Sequence, residues 1–245
     1  MIKQIQPQGY GSRIIAFLLS PFLFPQSRVV LSHLPKLPEA SGLRYGKVPG
    51  RDPLRLLVFG DSTAAGVGVE YQSDGLVGAL ARDLHDRFGR GVTWQLYARS
   101  GVTSGALRSF FLPSAMSEQF DLIFLSIGVN DVMNIRYTRQ FAGDLEAILD
   151  GLRQASPEAW IIVPGVPRME RFESLPDPLS SILGARAHRI NLAARKVIDG
   201  RYRVIHTKPW PIGTPGFFAV DNFHPSAIGY AAWAKAALDY WDRRR

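Results

Sequence analysis

The sequence predicts an α/β fold: a single three-layer α/β/α domain built on a five-stranded parallel sheet. Short apolar runs alternate with longer amphipathic stretches five times between Leu54 and Trp241, and each return to a parallel strand needs a crossover of that length. A chain of 245 residues with 46% hydrophobic content can bury a substantial core in one domain. No repeat or change of composition marks a second one.

Taken in order, Leu54–Phe59 (LRLLVF) reads as the first strand and Ser73–Phe88 as a helix, with Leu76, Val77, Leu80 and Leu84 on one face. Val92–Tyr97 reads as the second strand, followed by a short helix from about Ser104. Leu122–Ile127 (LIFLSI) is continuously apolar, as a strand buried on both faces should be. A helix over 138–155, a strand over 160–163, a helix over 179–198, a strand over 202–205 and a last helix over 226–241 complete the pattern. In such sheets functional residues gather at the carboxyl ends of strands.

Residues 1–53 read as a basic, apolar leader and linker, and 54–245 as the α/β domain. The chain's formal charge is +8, and +6 of it falls within residues 1–55, which hold eight Lys or Arg against two acids. A nearly neutral body with a basic front fits anionic lipid headgroups better than a nucleic-acid-reading surface, so no nucleic-acid partner is expected. A solvated arm with no partner is the plain alternative.

The run Ile14–Phe24 is too short to span a bilayer as a helix, and Pro25-Gln-Ser-Arg is a poor cleavage site. Residues 1–30 therefore read first as an interfacial membrane anchor, then as an uncleaved signal or as a segment covering the domain's own core. Membrane-associated or cytoplasmic residence is favoured, with a secreted or periplasmic one as the alternative. The Pro- and Gly-rich stretch from Leu34 to Pro53 reads as a linker or as a strap lying on the domain.

The absence of cysteine removes disulfides, thiolate nucleophiles and Cys-bound zinc. The five histidines show no HxH or HxxxH pairing, so neither a metal nor a cofactor is expected.

Three clusters lie at predicted strand ends. Gly60-Asp-Ser62-Thr-Ala-Ala-Gly66 follows the first strand, and its glycines let the chain turn sharply around the Ser62 hydroxyl. Gly128-Val-Asn130-Asp131 follows the third; Asn130 can aim an amide N–H at a developing oxyanion, though Asn and Asp after Gly also form ordinary turns. Asp221-Asn-Phe-His224-Pro225 follows the fifth, where an acid three residues ahead of a histidine can hold the ring by Nδ1–H and leave Nε2 as a base. Each cluster alone is an unremarkable turn or cap.

Together, in the order nucleophile, amide donor, acid and base, they resemble the SGNH hydrolases, also called GDSL lipases and esterases, over about Leu54–Trp241. Ser62 stands in GDSxxxG, Asn130 in GxND and His224 in DxxHP, as the family writes them. The resemblance implies the flavodoxin-like SGNH hydrolase fold and a Ser62–His224–Asp221 triad working through an acyl-enzyme. It also implies an oxyanion hole from the backbone N–H of Ser62, that of Gly101 and the Asn130 side chain. Gly101 is the best match to the family's second block, with Gly105 as the alternative; Ala98 stands where the family often has Asn, so support for that loop must come from elsewhere. Asp61 and Asp131 read as turn supports.

Val129, Phe217 and Phe218, with Val132 and Met133, lie next to these positions and line an acyl pocket or belong to the core. The expected substrate is a small-molecule acyl ester, lipid-like or of medium chain length. The alternatives are carbohydrate deacetylation and a catalytically silent binding protein on the same fold.

Overall fold

The computed structural model describes residues 36–245; the expectations for residues 1–30 lie outside the described residues. The sheet has six strands: β1 (Tyr45–Val48), β2 (Leu54–Gly60), β3 (Val92–Ala98), β4 (Leu122–Ser126), β5 (Trp160–Pro164) and β6 (Val204–Thr207). Their spatial order is β1-β3-β2-β4-β5-β6. The five strands from β2 to β6 are mutually parallel, as their apolar runs and crossover helices dictate.

The sixth strand corrects the expected count. β1 pairs antiparallel with β3, Tyr45 opposite Gln95 and Val48 opposite Val92, within the stretch read as linker or strap. Its four residues alternate between exposed and half-buried, so it has no apolar face for periodicity to reveal, and an edge strand needs none.

The helices are α1 (Leu76–Phe88), α2 (Ser104–Ala115), α3 (Val129–Met133), α4 (Thr138–Ala155), α5 (Leu179–Ile198) and α6 (Ala227–Asp242). α1 packs on α6, while α4 packs on both α2 and α5, which gives the two outer layers of the sandwich. Between them Leu56, Leu57, Val58, Phe59 and Phe124 are wholly buried, and Trp233 of α6 meets Phe124 edge to face at 5.5 Å. α3 and the 3₁₀ turn Met169–Arg171 are too short for a periodic signal. Among the described residues, no helix is long and apolar enough to cross a membrane.

The strand order places the site. From β2 the chain moves outward to β3 and then crosses back over β2 to β4, so the topological switch falls beside the carboxyl end of β2. In register, Gly60 stands opposite Ala98 on one side and Ser126 on the other. The loops carrying Ser62, Gly101 and Asn130 therefore leave three adjacent strand ends.

Candidate active site

Local packing brings the Ser62 turn against the His224 turn. A Cβ on Gly60 would lie 2.1 Å from the Ser126 carbonyl oxygen, so only glycine admits β4 this closely. Gly68, at φ +105, passes under the Pro225 carbonyl, where a Cβ would sit 2.4 Å from the oxygen. Tyr230, buried in the first turns of α6, donates its hydroxyl to the Val67 carbonyl at 2.6 Å. The His224 turn is closed on itself by Ala219 N–H to the His224 carbonyl at 2.8 Å and Ser226 N–H to the Phe217 carbonyl at 2.8 Å. The Ser226 side chain then caps α6 by accepting the Gly229 N–H at 3.2 Å.

Across this contact a line of three side chains forms. His224 Nε2 is 3.0 Å from Ser62 Oγ, and His224 Nδ1 is 2.7 Å from Asp221 Oδ2. The other Asp221 oxygen accepts the backbone N–H of Phe223 at 3.0 Å and of His224 at 2.9 Å. Burial pushes the Asp221 carboxyl up, but the imidazole and these two N–H groups outweigh it and hold the group below the usual carboxylate range. Asp221 is thus ionised and facing Nδ1. Phe223 meets the imidazole edge-on at 5.2 Å and packs on Phe172 at 5.2 Å, which fixes the ring from its apolar side.

Beyond the end of β4, Asn130 lies in the first turn of α3 and its Nδ2 is buried with no hydrogen-bond partner among the described residues. A buried amide donor without an acceptor is costly unless something occupies it in the working state. Gly101 follows β3 in a left-handed turn at φ +80 and is exposed. Gly105 is instead in the first turn of α2, where a Cβ would lie 3.1 Å from the Arg136 guanidinium, so Gly101 is the better placed of the two.

The Asn130 and Gly101 segments are tied by a buried ionic network. Asp131 accepts Ser104 N–H at 3.0 Å and Ser104 Oγ–H at 2.7 Å. Arg136 Nη1 stands 2.8 Å from Asp131, 2.8 Å from Ser104 Oγ and 2.9 Å from Asp144 on α4. Arg108 reaches the far oxygen of Asp144 at 3.2 Å. Burial pushes the Asp131 carboxyl up against the pull of Ser104 and Arg136.

The loop carrying Gly101 is also held from the strap. Glu39 accepts the Ser100 N–H at 2.6 Å and pairs through its other oxygen with Arg44, while Arg44 also donates to the Ala98 carbonyl at 3.4 Å. This is the support that an Asn at position 98 would otherwise be expected to give.

The sequence matches the GDSL-like Lipase/Acylhydrolase family over residues 58–232, a span that holds Ser62, Gly101, Asn130, Asp221 and His224. The chain belongs to that family. It is 27% identical over 196 residues to a GDSL-like esterase of Mycobacterium tuberculosis, a match covering 73% of this chain and 58% of the relative; the chain thus spans under two thirds of that protein. Among solved structures, a lipase from a goat rumen metagenome has a TM-score of 0.62 at 15% identity, covering 77% of this chain and 97% of its own. TesA has a TM-score of 0.58 at 20% identity over 76% and 96%. A catalytic mutant of Axe2, an acetylxylan esterase from Geobacillus stearothermophilus, has 0.60 at 16% over 79% and 95%. These likenesses establish the shared fold.

Ser62, Asp221 and His224 meet, and Asn130 and Gly101 lie at the neighbouring strand ends. Phe217 belongs to the core: it is 2% exposed, clasped between Trp210 at 5.9 Å and Phe218 at 5.2 Å. Val132 is fully buried as well. Val129, Met133 and Phe218 are half-buried. Ser104, Arg136, Asp144 and Glu39 carry no motif in the chain; Ser104 is 40 residues from Asp144 and Glu39 is 61 from Ser100, separations that only the fold closes. Among the described residues, no group of three His, Cys, Asp or Glu could hold a metal ion.

Proposed function

We propose that the chain is a serine esterase that hydrolyses a carboxylic ester through Ser62, His224 and Asp221, with a lipid-like or medium-length acyl group preferred. The observation that carries this reading is the unbroken line from Ser62 Oγ through the imidazole to Asp221, at 3.0 and 2.7 Å. His224 Nε2 takes the Ser62 proton as the oxygen attacks the ester carbonyl, and Asp221 stabilises the imidazolium so formed. The tetrahedral oxyanion draws on Asn130 Nδ2, whose N–H is otherwise unmatched, and on the backbone N–H groups of Ser62 and Gly101. Collapse expels the alcohol with the proton from His224. Water, deprotonated by the same ring, then cleaves the acyl-enzyme and returns the proton to Ser62.

The half-buried side chains of Val129 and Met133 in the helix that carries Asn130, and of Phe218 paired with Pro225, support an apolar acyl group. Carbohydrate deacetylation is the second reading, and what favours it is the fold shared with Axe2, an acetylxylan esterase.

The test is a series of p-nitrophenyl esters from acetyl to dodecanoyl, run beside acetylated xylan and a fluorophosphonate probe. Turnover that rises beyond acetyl supports the acyl-ester reading, and turnover confined to acetyl groups supports deacetylation. Ser62→Ala should abolish turnover and labelling at an unchanged melting temperature, and labelling that persists overturns the role of Ser62.

A further inference from the structure

Away from the catalytic turns, two adjoining cavities follow the free edge of β6. The first, about 530 Å³, lies between α6 and the chain after β6. Its apolar wall is formed by the half-buried Pro209, Pro211, Ile212 and Tyr240, beneath which the buried rings of Trp210 and Trp233 lie 5.4 Å apart between centres. The second, about 660 Å³, continues past Lys208, Pro209 and Tyr240 towards the end of α5. Both volumes are in the range of small-molecule sites, and neither cavity includes Ser62, Asp221 or His224.

The charge around this furrow is one-sided. Eight Lys or Arg line the two cavities against two carboxylates, Asp239 and Asp199, although residues 56–245 as a whole carry a balance of only +2. Asp239 is already engaged by Arg87 at 2.5 Å and Lys235 at 2.9 Å. Among the described residues, Arg171, Lys208 and Arg243 on the rim have no carboxylate partner within 4.0 Å. Such a concave, one-signed surface concentrates anions.

We propose that the furrow is a binding site for an anionic amphiphile, with an acyl chain along Pro209, Pro211, Ile212 and Tyr240 and its acidic head group among the cations around Lys208. A bare inorganic anion would leave the apolar wall uncovered, and an uncharged lipid would leave the rim cations unmatched. An acidic head on an apolar tail meets both surfaces at once.

The test uses the full chain and dodecanoic acid carrying bromine on its tail, titrated below its aggregation point while tryptophan emission is followed. Saturable quenching is expected, with affinity weakened about tenfold or more by Lys208→Glu/Arg243→Glu, two exposed positions where folding is spared. Turnover of p-nitrophenyl acetate by that variant should stay unchanged, which separates this furrow from the ester-cleaving site. The brominated alcohol of the same length should bind at least tenfold more weakly. The proposal is overturned if the charge-reversed variant binds the acid as tightly as the parent, if alcohol and acid bind alike, or if no quenching occurs. It is equally overturned if inorganic phosphate or a single-stranded oligonucleotide binds at the furrow with the same dependence on Lys208 and Arg243 while the acid does not.

Discussion

Asp61 and Asp131 make a natural experiment. Each sits one residue from a side chain of the proposed site, Ser62 or Asn130, and each is withdrawn from water, 1% and 0% exposed. Their surroundings differ sharply. Asp131 has Ser104 and Arg136 on its oxygens and belongs to an ionic network spanning α2, α3 and α4. Asp61 has no Lys or Arg partner among the described residues: one oxygen accepts the Thr63 N–H at 3.1 Å and the Thr63 hydroxyl at 2.9 Å, and the other accepts nothing there. Burial raises the Asp61 carboxyl to about 6, with the Thr63 bonds and His224 opposing it and Asp131 adding to it.

The difference separates two ways of holding a turn. Asp131 clamps the Asn130 segment to the loop that carries Gly101, so its contribution is positional and reaches across elements. Asp61 closes its own turn and, through Thr63, touches Ser126 Oγ on β4 at 2.7 Å. Because Thr63 spends its hydrogen on Asp61, Ser126 is the donor in that contact. The Ser62 turn is thus bonded locally to a neighbouring strand, while the Asn130 segment depends on residues brought from far along the chain.

The largest effect expected from this contrast is at Asp131. Asp131→Ala strips Arg136 of a buried partner and should cost about 3–5 kcal/mol of stability, read by denaturant unfolding; a loss under 1 kcal/mol would dissolve the distinction from Asp61. Next is Asn130→Ala, which removes a donor matched to the oxyanion and should lower kcat about 10²- to 10³-fold, roughly 2.7–4 kcal/mol, with KM little changed. If Asn130 serves only the turn, the melting temperature falls instead and kcat of the folded protein survives.

Asp61→Asn tests the other pole. The folded chain binds the Asp61 proton more tightly than the unfolded chain does. The wild type therefore loses stability as pH rises from the ordinary value of 3.8 through about 6. The variant lacks this loss, so across that window the stability difference should move in its favour by an amount on the order of 3 kcal/mol. Unfolding curves for both proteins at acid and neutral pH check this, and parallel pH profiles would mean that Asp61 is not held protonated. Smallest is Ser126→Ala, which deletes one neutral hydrogen bond and should cost about 1 kcal/mol without a change in pH dependence.

Much of this was written in the chain itself. The apolar runs from Leu54 to Ile205 repeat at strand length with helical spacers between them, so the parallel order of β2 to β6 follows from local pattern and crossover length alone. Ser62, Asn130, Asp221 and His224 are legible because each stands in a short motif at the end of such a run. β1 is not: four residues on a sheet edge, without a buried face, leave no periodic trace.

What tertiary structure alone decided is which distant side chains meet. Nothing within Thr103–Asp144 orders Ser104, Asp131, Arg136 and Asp144 into one network, because a charged residue on a helix reads the same whether it faces water or a buried partner. The assignment of Phe217 to the core, the hold of Glu39 on Ser100 and the cation-lined furrow along β6 are of the same kind. Local sequence determines dihedral preference and period, which act over a few residues. Burial and ion pairing depend on what the fold places opposite, and that is known only once the sheet has closed.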